Sequence, residues 1–169
     1  MTVAGQVLVR PARTSDVAYI KGFVDGYAND RILLGKASVT LYEDVQEFLV
    51  AELDGEVVGC GALHVMWQDL AEVRTLAVTP EVRGRGVGAA ILDTLLDRAR
   101  DLGVERVFCL TFETAFFAGH GFVEIEGTPV EHEVYMQLLQ SYDDGVAEFL
   151  DLERVKPNTL GNTRMLRHL

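Results

Sequence analysis

A chain of 169 residues, 49% hydrophobic and 24% charged, has the size and composition of one globular domain over residues 1–169, not of a disordered segment. Its 26 acidic residues against 15 basic ones leave a net charge of −11, which argues against a general nucleic-acid or anionic-membrane binder. No apolar stretch approaches the ~20 residues of a membrane helix and nothing at the start reads as a signal peptide, so a cytoplasmic protein is expected.

Taken in chain order, residues 6–10 alternate as a short strand ended by Pro11. Thr14 or Ser15 can cap the next helix, with Asp16 in its first turn. Val17, Ile20, Val24 and Tyr27 then recur at helical spacing, and Asn29-Asp30 breaks the run. Thr40 with Glu43 reads as a capping box for a second, short helix. Residues 47–54 and 56–67 are apolar-rich strands joined at Asp54-Gly55, a strong hairpin signal. Residues 70–78 form a third long strand.

Val87, Ala90, Ile91, Thr94, Leu95 and Arg98 repeat at the helical period until Gly103 stops the helix. Residues 104–111 are a β-branched strand. A short helix at 114–120 leads through Gly121 to a strand at 122–126. Residues 131–142 read as a helix, 146–155 as a further strand, and the tail from Lys156 as loop followed by an edge strand. Cys60 and Cys109 both sit in apolar strand-like runs, as buried free thiols. His64, His120, His132 and His168 are scattered without ligand spacing, so no metal is expected.

The most informative run is Arg83-Gly84-Arg85-Gly86-Val87-Gly88, with Ala89 opening the helix. A strand that empties into a glycine-rich turn and then a helix aims backbone N–H groups and the positive end of the helix dipole at one spot. Gly84, Gly86 and Gly88 let the backbone approach a ligand closely, and Arg83 and Arg85 add charge. That makes the turn a phosphate site. It lacks the Gly-Lys-Ser/Thr of a Walker loop and the spacing of the dinucleotide fingerprint.

Arg83, Gly86 and Gly88 fit R/Q-x-x-G-x-G/A, which resembles the pyrophosphate loop of the GCN5-related N-acetyltransferases. The order of elements, the opening Arg10-Pro11-Ala12 with Asp16, and the run from Ala115 to Gly121-Phe122 resemble the same family. The resemblance implies an α/β (α+β) fold with a mixed, mostly antiparallel central sheet flanked by helices, and acetyl-CoA bound at a splayed strand pair. A narrower resemblance, to the acetyltransferase domain of N-acetylglutamate synthases, rests on three stretches. They are Leu41-Tyr42-Glu43 through Glu52, Gly59-Cys60-Gly61-Ala62-Leu63, and Ala71-Glu72-Val73-Arg74-Thr75-Leu76-Ala77-Val78. The tail from Lys156 through Asn162-Thr163-Arg164 to Leu166 is similar to that of the short, stand-alone actinobacterial form. No amino-acid-kinase domain precedes the acetyltransferase run, which puts arginine feedback in doubt.

The resemblance implies roles residue by residue. Glu72 is the general base for the amine; without such a role it is a strand carboxylate paired with Arg74. The backbone of Leu76, Ala77 and Val78 holds the acetyl and pantetheine arm, with the amide of Leu76 or Ala77 on the oxyanion. Thr111 donates to the departing sulfur, or is a plain strand-end residue. Phe112, Phe116 and Phe117 line the pantetheine side, or are core. Phe116 and Phe117 stand where many relatives carry a tyrosine acid, and neither can donate a proton.

A glutamate substrate has two carboxylates and calls for cations. Lys36, Arg74 and Arg164 are the candidates, each otherwise a salt-bridge partner in an acidic protein. The function so implied is acetyl transfer from acetyl-CoA to the α-amine of L-glutamate or L-glutamine, the first step of arginine biosynthesis. A transferase of another small amine (a polyamine or aminoglycoside) and a non-catalytic acetyl-CoA sensor are the alternatives. The oligomeric state stays open, although many relatives pair as homodimers through strands near the C-terminus.

Overall fold

The structure, a computed structural model, describes residues 5–29, 37–152 and 162–169. Among the described residues seven strands make one sheet: β1 Val7–Pro11, β2 Phe48–Leu53, β3 Glu56–Trp67, β4 Leu70–Val78, β5 Arg106–Thr111, β6 Val123–Glu124 and β7 Thr163–His168. Their order across the sheet is β1-β2-β3-β4-β5-β7-β6. All neighbours run antiparallel except β4 and β5, which are parallel because α3 (Val87–Leu102) carries the chain between them. The other α-helices among the described residues are α1 Val17–Asn29, α2 Ser38–Glu43, α4 Thr114–Ala118, α5 His132–Leu138 and α6 Asp144–Phe149. None of the described helices is long and apolar enough to cross a membrane.

Strand alternation divides the core. Leu49, Ala51, Leu63, Ala71 and Val73 face α3 and pack on Val87, Ile91, Leu92, Leu95, Leu96 and Ala99. Each fully buried Val, Leu or Ile among them contributes roughly 1.5–3 kcal/mol. Close contact of α3 requires Gly61 on β3, where an added Cβ would stand 2.8 Å from Ile91 Cγ2. The opposite face carries two separate apolar clusters. One joins α1 and α2 to Phe48, Val50, Cys60, Ala62 and Ala77. The other joins α5 and α6 to Met66, Leu70, Phe108 and Leu166. Along β4, Glu72 and Arg74 fall between Leu70 of one cluster and Ala77 of the other, so the gap in apolar cover is polar and buried.

Several expected elements differ. Residues 146–155 are not a strand over their described part: Val146 to Phe149 belong to α6, capped by the Asp143 side chain, which accepts the Val146 N–H at 2.9 Å. All five residues from Val146 to Leu150 are buried, and an apolar run buried on every side has no periodicity to separate helix from strand. The expected helix over 131–142 is shorter, His132–Leu138, and the strand at 122–126 is only Val123–Glu124. Thr40 lies inside α2, whose N-cap is Ala37, so Thr40 and Glu43 form no capping box. The final strand is interior: β7 pairs with β5 from Arg106↔His168 to Thr111↔Thr163 and with β6 on its other side. Its Met165 and Leu166 point to opposite faces and both are buried, as an interior strand requires.

Candidate active site

β4 and β5 pair only at Leu70↔Arg106, Ala71↔Val107 and Glu72↔Phe108. β5 then continues with β7 to Thr111, and beyond Glu72 the facing edge of β4 has no strand partner among the described residues. The departure has a local cause. Cys60 stands opposite Ala77 but Ala62 opposite Arg74, so β4 carries one extra residue in a bulge. At its centre Thr75 has φ +58°, a conformation costing a β-branched residue about 1–2 kcal/mol. The Cys60 thiol donates to the Thr75 carbonyl at 3.3 Å. The bulge also reverses which residues face which side: Ala77 joins the α1 cluster, while Leu76 and Val78 pack toward α3.

The freed edge runs into the glycine turn. Gly84 has φ +79° and Gly86, the N-cap of α3, has φ +80°, with open space where a Cβ would stand on either. The first bond of α3 is Ala90 N–H to the Gly86 carbonyl at 3.0 Å, so the donors of the first turn are directed into the turn. α3 is sixteen residues long and brings a full dipole to that point. Arg83 is tethered: its Nη2 donates to the Tyr27 hydroxyl at 3.0 Å, which donates to the Val78 carbonyl at 2.8 Å. Arg85 is exposed beside it. The arrangement suits a pyrophosphate.

Glu72 and Arg74 sit where the strands part, both buried. Arg74 Nη1 donates to Asp143 Oδ1 and Oδ2 at 2.8 and 2.9 Å, and Nη2 to Glu72 Oε2 at 3.4 Å. Burial opposes the Arg74 charge, but Glu72 and Asp143 outweigh it and the net shift is upward. Asp143 is the converse: burial raises it, the Arg74 charge outweighs burial, and the carboxyl lies below its usual range. Glu148 on α6 is pushed up to about 7, by burial first and the Glu72 charge second, against the Asn162 hydrogen bond at 3.2 Å. His64 faces Glu72 across the strands and bonds Glu47 through Nδ1 at 2.7 Å.

The other sequence candidates are partly gathered here. Thr111 is buried at the end of β5, and its Oγ1 accepts the Glu113 N–H at 2.8 Å, leaving its proton to give. Phe116 touches the space over Gly88, Phe112 is exposed, and Phe117 is core, edge-on to Phe116 at 5.2 Å and to Phe122. Arg164 is drawn away from a ligand role: Nη1 donates to the Gly127 and Phe149 carbonyls at 3.0 and 2.9 Å, and Nη2 to the Glu148 carbonyl at 3.0 Å. Lys36 lies outside the described residues. Cys60 and Cys109 are free and buried, with burial raising both thiols, Cys60 to about 12, so neither is a nucleophile. No group of three or more His, Cys, Asp or Glu able to hold a metal occurs among the described residues.

Sequence reasoning missed Tyr27, Asp143, Gly145 and Glu148. Only Asp143 carried a local signal, as a cap residue ahead of an apolar run.

Known proteins share this fold. The chain matches the acetyltransferase (GNAT) family over residues 18–123. It is 65% identical over 162 residues to an amino-acid acetyltransferase of Mycobacterium tuberculosis, spanning 94% of this chain and 92% of that protein. Among solved structures it is similar to Rv2747 from Mycobacterium tuberculosis in complex with CoA and NLQ, with a TM-score of 0.93 at 65% identity over 96% of this chain and 99% of that one. N-acetylglutamate synthase from Neisseria gonorrhoeae, complexed with coenzyme A and N-acetyl-glutamate, is similar with a TM-score of 0.77 at 25% identity, over 97% of this chain and 35% of that one.

Proposed function

We infer the reaction from one premise: this chain belongs to the acetyltransferase (GNAT) family. It is an acetyl-CoA-dependent amino-acid N-acetyltransferase, and we propose L-glutamate as the amine it acetylates, with L-glutamine, which differs in one group, as the alternative. The observation that carries the proposal is the freed β4 edge, which begins at a buried carboxylate and ends at a glycine turn on a helix N-terminus. The glutamate assignment is supported by the likeness to a synthase complexed with N-acetyl-glutamate.

Acetyl-CoA as co-substrate supplies an acetyl thioester. We assign its pyrophosphate to Arg83, Gly84, Arg85, Gly86, Val87, Gly88 and Ala89, and its pantetheine arm to the edge of Leu76, Ala77 and Val78. Open space at Gly84 and Gly86 fits that assignment. Phe112 and Phe116 flank the arm, with Phe117 supporting Phe116 from the core. Glu72 takes the proton from the substrate ammonium, directly or through water, so that the free amine attacks. The Leu76 amide is the better oxyanion donor of the two candidates, because the Ala77 N–H is turned toward the Cys60 sulfur. The Thr111 hydroxyl, oriented by the Glu113 N–H, donates to the leaving thiolate.

Arg74 is spent on Glu72 and Asp143 and Arg164 on backbone carbonyls, so Lys36 remains the cation proposed for a substrate carboxylate. Cytoplasmic residence and a homodimer are proposed alongside, the latter tested by light scattering.

The deciding experiment is CoA-thiol release from acetyl-CoA across glutamate, glutamine, spermidine and an aminoglycoside. Turnover with glutamate is expected to dominate. Turnover with the cationic amines alone would overturn the substrate. Glu72→Gln is expected to lower kcat far more than acetyl-CoA affinity, and an unchanged rate at neutral pH would remove Glu72 as the base.

A further inference from the structure

The Arg74 guanidinium is shared unequally between two carboxylates. Asp143 holds it with both oxygens on one nitrogen, at 2.8 and 2.9 Å, while Glu72 meets the other nitrogen at 3.4 Å through one oxygen. Asp143 cannot easily yield, because its Oδ1 also caps α6 on the Val146 N–H. Gly145 in the first turn of α6 makes the room: a Cβ there would stand 2.5 Å from Arg74 Cζ and Nη2. A capped helix, a missing side chain and a bidentate contact thus all fix Arg74 toward α6 and away from β4.

We propose that Asp143 is a positioning residue for the reaction, acting through Arg74: by holding the guanidinium against α6 it keeps Arg74 from closing into a tight ion pair with Glu72 and so favours the basicity of Glu72. The inference rests on Glu72 being the base. A carboxylate in close contact with an arginine is a poor proton acceptor, since the opposite charge favours its ionised form by roughly 1–3 pKa units. Other charged groups face this cluster and remain in every variant. Among the described residues they include Glu148 on α6 and Arg164 on β7, with the His64 imidazole on β3 and Glu47 beside it. The Cys109 thiol on β5 is uncharged, burial holding its pKa up.

The test is the pH profile of kcat with acetyl-CoA and glutamate. Asp143→Asn keeps an N-cap side chain and removes the charge. Its acid limb is expected to move down by about one pH unit or more, with the plateau falling about three- to tenfold and the KM for acetyl-CoA unchanged. Asp143→Ser, which also caps, is the second variant and should behave alike. Arg74→Gln should move the limb the opposite way, to higher pH. Adding Asp143→Asn to Arg74→Gln should then shift it no further.

A limb that stays put in both Asp143 variants, while Glu72→Gln abolishes it, would overturn the positioning role alone. So would a further shift in the Arg74→Gln background, since Asp143 would then act on Glu72 directly. A limb that survives Glu72→Gln would instead remove the base beneath the proposal.

Discussion

The Tyr27 hydroxyl stands between the Arg83 guanidinium and the Val78 carbonyl, accepting from the first at 3.0 Å and donating to the second at 2.8 Å. One phenol of α1 thereby ties the exposed arginine of the glycine turn to the end of the freed strand. Tyr27→Phe removes both bonds and keeps the ring. Arg83 then loses its tether to the end of the freed strand, so the KM for acetyl-CoA is expected to rise about three- to tenfold. The KM for the amino acid should stay constant. Steady-state kinetics with each substrate varied in turn checks this, and an unchanged acetyl-CoA KM would detach Arg83 from the pyrophosphate.

Gly86 opens α3 with φ +80° and has nothing within 4 Å of where a Cβ would be. Gly86→Ala therefore costs the left-handed backbone penalty alone, about 1–2 kcal/mol, without a clash inside the protein. A ligand lying against that backbone would meet the new methyl group. The expected result is a Tm lowered by about 2–6 °C together with an acetyl-CoA KM raised at least about tenfold. Gly55→Ala in the β2–β3 turn is the control. Its φ is +83° and it too has open space, so it should show the loss in Tm without the change in KM. Equal KM values in the two variants would move the cofactor away from Gly86.

The turn at Arg83 to Gly88 was legible because its chemistry is local: glycine spacing, a preceding strand and a following helix all lie within one short stretch. The hairpin at Asp54-Gly55 and the stop at Gly103 were legible for the same reason, each needing a residue that adopts positive φ. Glu72 was singled out by its frame, but its surroundings were not visible. Asp143 and Arg74 are 69 positions apart, and only the packing of α6 on β4 brings them together. α6 itself was mistaken for a strand because burial on all sides erased its period, and β7 for an edge because its two neighbours come from distant parts of the chain. What sequence hides here is long-range contact, and the polar half of the site is made of it.

Arg164 illustrates the difference. The resemblance implies a cation for a substrate carboxylate, whereas the structure has its guanidinium on the carbonyls of Gly127, Glu148 and Phe149, 5.6 Å over the Phe108 ring. Two of those carbonyls end α6, where a positive charge also suits the helix dipole. Arg164→Ala is expected to destabilise the protein by about 1–2 kcal/mol through the lost guanidinium bonds and its packing on Phe108, since the Glu148 and Phe149 carbonyls keep the Asp151 N–H and the Thr128 hydroxyl. Chemical denaturation measures that loss, and amino-acid KM measured well below the transition separates it from binding. A large rise in KM with stability intact would return Arg164 to the substrate.

Glu148 makes stability depend on pH in a direction that can be worked out. Its folded carboxyl titrates near about 7 against an ordinary value of 4.5, because burial and the Glu72 charge both disfavour ionisation. Between those values the folded state binds more protons than the unfolded state, so this group's contribution falls as pH rises through the window. Below about pH 4.5 both states are protonated and the group costs nothing; above about 7 the full cost applies, on the order of 3 kcal/mol. Glu148→Gln removes the titration and keeps an oxygen for the Asn162 amide, which now donates to Oε1 at 3.2 Å. The variant should therefore match the parent near pH 4.5 and exceed it in Tm at pH 8, by several degrees. Calorimetry at the two pH values decides the matter. An equal gap at both would mean that Glu148 carries no proton near neutrality, and a lower Tm at pH 8 would mean that its charge is stabilised by Arg74 and Arg164 beyond the penalty of burial.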